Sequence, residues 1–419
     1  MSRFSRHFSV AVAILGGFLY GYHTAVIAGV LILVAPLFDL TLFEQGMLVS
    51  AILIGALPGA LLASQLADRL GRKRSLLITA FLFVIGTALT AIAHSYSALI
   101  IGRLINGVAL GLVSVVTPLY IAEISRPEHR GGTVSLYQFA LTLGIMAAFI
   151  AGYLYSPAQN WRMMFAAGAI PAILQLIFLP MIAETPHWLQ HKGQLQRSEG
   201  SLWKAFGKVK SRYVIIVGLV LCIFQQITGI NTVIYYAPVI FQSAGFASEH
   251  GALLATLGIG VINVIATVFS VLYLDKRGRR FFLLISSGAM MISLLVFSLS
   301  SHFINGWGNQ ISAISLMAYV ASFAIGLGPV MWVVISEIYP LHLRAKAMTL
   351  SIFANWSCNA LVSWTFPDLL AKLGAQTSFL LYAAISALCF VFIYRYIPET
   401  KGKTFEEVEA LMEKASRRQ

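Results

Sequence analysis

Carboxamides fall inside stretches that are otherwise strongly apolar, among them Gln138, Gln225, Gln226, Asn231, Asn263, Asn355 and Asn359, and Trp332 and Trp356 lie there too. A carboxamide donates and accepts hydrogen bonds at once, and burying it avoids the cost of burying a charge. Those abilities suit a ligand ringed with hydroxyls, whose C–H faces pack on aromatic rings; a sugar is such a ligand, and a polyol or another small polar solute would be served equally well. Asn231 and Tyr235 stand four apart, hence on one helical face. The same amides also have a plainer use as interhelical glue, because Asn and Gln in membrane helices hydrogen-bond their neighbours. Chemistry of the bond-making kind is not expected. No His-Glu-x-x-His run, phosphate loop or paired mid-span carboxylate occurs, so neither an enzyme, a cofactor nor a metal site is implied. The three cysteines, Cys222, Cys358 and Cys389, lie in apolar spans without ligand spacing and read as packing residues.

The elements that position these residues must be membrane helices. The chain has 419 residues, 58% of them hydrophobic and 11% charged, too apolar for an ordinary water-soluble domain. A crossing helix needs about 20 apolar residues, and eleven stretches between 7–38 and 373–394 are free of Asp, Glu, Lys and Arg. One of them, 281–336, is long enough for two crossings, with Ser301 to Gln310 as its turn, so twelve are expected. The first run lacks a small-residue cleavage site and reads as an uncleaved helix.

A formal charge of +13 raises the question of nucleic acid. Placement answers it. With both termini taken as cytoplasmic, 26 of the 29 basic residues fall in inside segments, and the exceptions are Arg103, Arg162 and Lys372. That asymmetry is the positive-inside rule; it implies a multi-pass protein of the inner (plasma) membrane facing anionic lipid on the cytoplasmic side, and no nucleic-acid partner.

The polar stretch 184–212, read as a cytoplasmic linker with short helices, divides the chain into a bundle at 1–183 and another at 213–397, followed by a cytoplasmic tail at 398–419. The division is a repeat. Asp68-Arg69-Leu70-Gly71-Arg72 returns as Asp275-Lys276-Arg277-Gly278-Arg279, Glu123 with Arg130 as Glu337 with Arg344, and Glu184-Thr185 as Glu399-Thr400, at offsets of 207 to 215. Two parallel six-helix repeats describe an all-α membrane protein of the major facilitator kind, with cargo near the midplane. In the tail, Thr404 to Glu407 has capping-box spacing, and Phe405, Val408 and Met412 share one face of a short packing helix.

Several motifs resemble the sugar porter family of that superfamily, which includes bacterial xylose/proton symporters and facilitative glucose transporters. They are Gly17-Phe18-Leu19-Tyr20-Gly21-Tyr22, Asp68-x-x-Gly71-Arg72-Lys73, Gly102-Arg103, Glu123-x6-Arg130-Gly131, Glu184-Thr185-Pro186, Gln225-Gln226-x-x-Gly229-Ile230-Asn231-x3-Tyr235-Tyr236, Gly328-Pro329-x-x-Trp332 and Pro398-Glu399-Thr400. The resemblance spans nearly the whole chain and implies transport of a monosaccharide by alternating access. It carries sugar contact onto Gln138, Gln225, Gln226, Asn231, Asn263 and Trp332, and less directly onto Tyr20, Tyr235, Gly328, Asn355, Trp356 and Asn359. It also implies that Asp68, Arg72, Glu123 and Arg130, with Asp275, Arg279, Glu337 and Arg344, form ion pairs between helices that gate the cytoplasmic side. A monomer is its default.

Three departures matter. Proton-coupled members have Asp where this chain has His23, while Arg103, which resembles that acid's partner, is retained. His23 is then either a neutral spacer, giving facilitated uniport, or an unusual proton site in a sugar/proton symporter, since histidine titrates nearest physiological pH; uniport is the favoured expectation. Ile145 stands where the xylose symporters carry another glutamine, so the cargo is not transferable from them. The central segment is also shorter than the family's.

Overall fold

The computed structural model describes residues 3–126, 130–190, 209–246, 248–300, 307–340, 343–403 and 405–416, and these contain helices and no strand. The first six spans are α1 (Arg3–Ala25) continued by α2 (Ile27–Leu37), α3 (Leu42–Leu70), α4 (Arg72–Ala91), α5 (Tyr96–Ile124), α6 (Arg130–Tyr155), and the short α7 (Trp161–Ala166) and α8 (Ala169–Phe178), which share one crossing. After the one-turn α9 (Pro186–Gln190) come α10 (Val209–Ile227) continued by α11 (Ile230–Ser243), α12 (Glu249–Arg277), α13 (Arg279–Leu299), α14 (Gly308–Ile325) continued by α15 (Leu327–Ile338), α16 (Arg344–Tyr396) and α17 (Phe405–Ser416). In lipid each backbone group must be satisfied within the protein, which is why apolar runs of this length become helices.

Eleven helical stretches among the described residues are long and apolar enough to cross a bilayer. The last covers 51 residues, Lys346–Tyr396, about twice the length one crossing needs. Gly374 divides it, leaving the helical region at φ 73° and ψ 169°, so the described residues hold twelve spans. The double crossing expected in 281–336 is α13 followed by α14 and α15; residues 301–306 of its expected turn lie outside the described residues, and Gly308 to Gln310 already belong to α14.

Breaks within spans are satisfied by side chains. Pro329 has no N–H for the carbonyl of Ile325 four residues earlier, and Ser270 Oγ donates to that carbonyl at 2.9 Å. Ser286 Oγ accepts from Leu327 N at 2.9 Å. Between α10 and α11, the Thr228 carbonyl accepts from Tyr319 Oη at 2.8 Å. These breaks expose main-chain carbonyls at membrane depth without orphaning them.

The packing forms two compact units: 1–195 with 232–264 and 363–372, and 196–231 with 265–362 and 373–419. Within the first unit, aromatic rings meet at the ends remote from the charged loops. Phe43 meets Trp364 edge-on at 5.2 Å, and the rings of Tyr153 and His250 lie 4.4 Å apart. Within the second unit, α17 packs on α10 and α15 through buried Val408 and Met412, as the tail's pattern implies. Thr404 and the Phe405 side chain lie outside the described residues, as do 191–208 of the linker.

Candidate functional site

Three elements of the second unit, α10, α15 and α16, converge on a network of carboxamides. Gln225 Nε2 donates to the carbonyls of Leu327 and Gly328, each at 3.0 Å. Gln225 Oε1 accepts from Gln226 Nε2 at 3.2 Å and from Asn355 Nδ2 at 2.8 Å. Gln226 Nε2 donates again to Asn355 Oδ1 at 3.0 Å, and Asn355 Nδ2 to the Cys222 carbonyl at 3.0 Å. Asn231, at the start of α11, donates Nδ2 to Gln226 Oε1 at 2.6 Å. Both main-chain acceptors on α15 belong to its first turn, just after the break at Gly326.

A carboxamide has two donors and two acceptor sites, so the network can be counted. Gln225 uses all four. Gln226 and Asn355 each use both N–H groups and one acceptor site, leaving one lone pair. Asn231 is half-buried and has one N–H committed, so its second N–H and its carbonyl oxygen hold most of the open capacity. Gln225 has all four positions occupied within the protein, whereas the Asn231 edge keeps capacity for further hydrogen bonds.

The remaining candidates are placed individually. Asn359 is buried one turn beyond Asn355, Trp356 is buried beside it, and half-buried Trp332 follows Gly328 by one turn of α15. In the first unit, Tyr235 is buried on α11 and Tyr20 is half-buried on α1. Asn263 is buried on α12 and Gln138 half-buried on α6.

His23 and Arg103, both 1% exposed, form a second polar locus in the first unit. The guanidinium does not use the imidazole. It donates to the main-chain carbonyls of His23 at 2.8 Å, Val49 at 3.1 Å and Leu48 at 3.3 Å. The ring of His23 instead stacks on Phe83 at 4.8 Å and brings Nε2 to 3.4 Å from Thr87 Oγ1.

At the charged ends of the two sequence halves one construction appears twice. In the first, Arg72 is paired with Glu123 at 2.9 Å and Asp68 at 3.1 Å. Glu184 accepts from the main-chain N–H groups of Arg72 and Lys73 at 3.1 and 3.0 Å, capping α4 where the helix dipole favours an anion. Thr185 Oγ1 closes the loop by donating to Glu123 at 2.5 Å. In the second, Arg279 pairs with Glu337 at 3.3 Å, Glu399 accepts from Arg279 N and Arg280 N at 2.9 and 3.1 Å, and Thr400 donates to Glu337 at 2.6 Å. Gly71 and Gly278 stand at φ 94° and 98°, and a side chain at either would strike the capping carboxylate. Arg344 donates to the Tyr339 carbonyl at 3.3 Å; partial burial draws it below the ordinary arginine range, opposed by nearby Glu337. The side chains of Arg130 and Asp275 lie outside the described residues. Sequence reasoning used Glu184-Thr185 and Glu399-Thr400 only as landmarks and missed their work as caps and bridges, for which their recurrence was the available signal.

Twelve apolar spans in two repeated sets, polar loci at membrane depth and mirrored ion pairs at the helix ends define a multi-pass transporter of the major facilitator superfamily, a non-enzymatic class. The family model described as "Sugar (and other) transporter" matches residues 9–208 and 194–412. The chain is 35% identical to the D-xylose transporter of Levilactobacillus brevis, over 98% of this chain and 97% of that one. It is also 35% identical to the D-xylose-proton symporter of Escherichia coli, over 96% and 94%. The solved structure of the Escherichia coli xylose transporter in a partially occluded inward-open conformation superposes with a TM-score of 0.82 at 32% identity, covering 95% of this chain and 99% of that one. The chain belongs to the sugar transporter family.

Proposed function

We propose that the protein carries a hexose or pentose by facilitated uniport, with the sugar's hydroxyls taken up by Asn231, Gln226 and Asn355. The observation that carries this reading is the open bonding capacity at one edge of an otherwise satisfied, uncharged network. Within the second unit Trp332 and Trp356 offer aromatic surface and Asn359 a further amide; for the first unit's Tyr20, Tyr235, Gln138 and Asn263 the proposed role as sugar contacts rests on the family likeness alone. The charged ends act as the gate: pairs held at half-dry surfaces differ between two packings by a few kcal/mol, enough to bias a bistable element. The basic loops face the cytoplasm with both termini inside, on the positive-inside rule.

Uniport rests on Arg103, whose charge is borne by three carbonyls and not by a titrating side chain. Proton symport is the second reading, favoured by the likeness to a D-xylose-proton symporter, with His23 as its proton site. Uptake of pentoses and hexoses into proteoliposomes, with and without an imposed pH gradient, separates the two. Saturable equilibration unaffected by the gradient is expected; accumulation above the outside concentration when the gradient is applied would overturn uniport.

A further inference from the structure

We infer that Ser286, on α13 and outside the amide network, is a positioning residue for it: by holding the main chain at the break between α14 and α15, it sets the carbonyls on which Gln225 hangs. This role presupposes the sugar site proposed above. Ser286 Oγ accepts from Leu327 N at 2.9 Å, and the carbonyl of the same Leu327 accepts from Gln225 Nε2 at 3.0 Å. One residue is therefore gripped on both sides, by α13 and by α10.

Leu327 opens α15, and the first N–H groups of a helix have no partner within the helix itself. At membrane depth water does not fill that place, so the partner comes from a neighbouring element. Ser287 and Ser298, also buried on α13, donate their hydroxyls to the carbonyls of Leu283 and Leu294 one turn back in their own helix, at 2.8 and 2.9 Å, a habit of serine within helices. Ser286 does otherwise. Its hydrogen goes to Met290 Sδ at 3.7 Å, a weak acceptor, and its oxygen is given to the break.

The break is held residue by residue. The Ile325 carbonyl accepts from Ser270 Oγ of α12 at 2.9 Å, and Gly326 lies so close to α13 that a Cβ there would strike the Phe282 carbonyl and the Cβ of Ser286. Ser270, Ser286 and Leu327 are all buried. From Leu327 the connection runs through Gln225, whose Oε1 accepts from Asn355 and Gln226, to Asn231, which donates to Gln226 Oε1. Polar groups fixed before a ligand arrives bind it better, because the cost of ordering them is already met. A loosened Leu327 therefore weakens binding at the Asn231 edge without removing any group that touches the sugar.

The test is exchange of labelled D-xylose and D-glucose by the full-length chain in proteoliposomes, with the half-maximal sugar concentration and the maximal rate read separately. Ser286→Ala is expected to raise the half-maximal concentration about threefold to tenfold, with the maximal rate per folded protein within about twofold of wild type. Ser287→Ala, which removes a buried hydroxyl from the same helix, should leave the half-maximal concentration unchanged. Because Ser286 acts through Gln225, adding Ser286→Ala to Gln225→Ala should cause no further loss of affinity. Ser286→Cys keeps a weak acceptor at the same place; it should fall between wild type and Ser286→Ala, and it carries the comparison with Ser287→Ala if the alanine variant does not fold. Equal shifts from the Ser286 and Ser287 variants, or additive losses with Gln225→Ala, would overturn the positioning role while Asn231→Ala still weakens sugar binding. If Asn231→Ala has no effect, or the wild type exchanges neither sugar, the proposed sugar site fails and the role of Ser286 fails with it.

Discussion

The amide network around Gln226 and the locus around Arg103 are both polar, both buried and both at membrane depth, yet they are built on opposite plans. Around Arg103 a permanent charge is met by fixed main-chain carbonyls from α1 and α3, so nothing there can exchange partners without moving a backbone. Around Gln226 neutral side chains bond mainly to one another, and each bond can be traded for one to a hydroxyl at little net cost. The first plan makes a rivet, the second a surface that a polar, uncharged cargo can enter and leave.

The comparison breaks first if Arg103 is not a rivet. Arg103→Ala removes three charge-assisted bonds to buried carbonyls, about 1.5–3 kcal/mol each, so a large fall in thermal stability in detergent is expected; an unchanged melting temperature would remove the distinction. Gln225→Ala comes next, because it strips the residue whose four bonding positions are all in use. Both melting temperature and sugar affinity should drop, and a loss of affinity alone would move Gln225 from the framework to the binding edge. Asn231→Ala tests the other side: loss of one to two hydroxyl bonds, about 1.5–3 kcal/mol, raises the apparent KM roughly tenfold to a hundredfold, with a smaller fall in melting temperature than Gln225→Ala because one bond within the network, to Gln226, is lost. The smallest effect belongs to His23→Gln. Since Arg103 uses the main-chain oxygen at that position, uptake within about threefold of wild type is expected on the hydrogen-bond accounting, whereas abolished uptake would favour His23 as a proton site. His23→Asp supplies the complementary gain: pH-gradient-driven accumulation should appear or strengthen.

Much of this was legible in the letters. Twelve spans followed from charge-free runs, and the recurrence of Asp68, Glu123 and Glu184 marked where the ion pairs and caps repeat; the amides stood out by their position within apolar stretches. The division of labour among those amides was not legible, because it depends on where the carbonyls of Leu327 and Gly328 point once the span breaks before them. Nor was the use of the His23 carbonyl, since a sequence displays side chains and leaves main-chain acceptors uncounted. Glu184 and Glu399 show the same blind spot, their partners being the N–H groups of Arg72, Lys73, Arg279 and Arg280.

The most direct measurement is exchange of labelled sugar across proteoliposomes for wild type and Asn231→Ala, reconstituted at equal density and matched for melting temperature. Rapid exchange in the wild type, with the variant needing at least tenfold more sugar for half its maximal rate, is the result expected. Indistinguishable concentration dependence in the two proteins would contradict the claim that the open edge of the amide network receives the cargo.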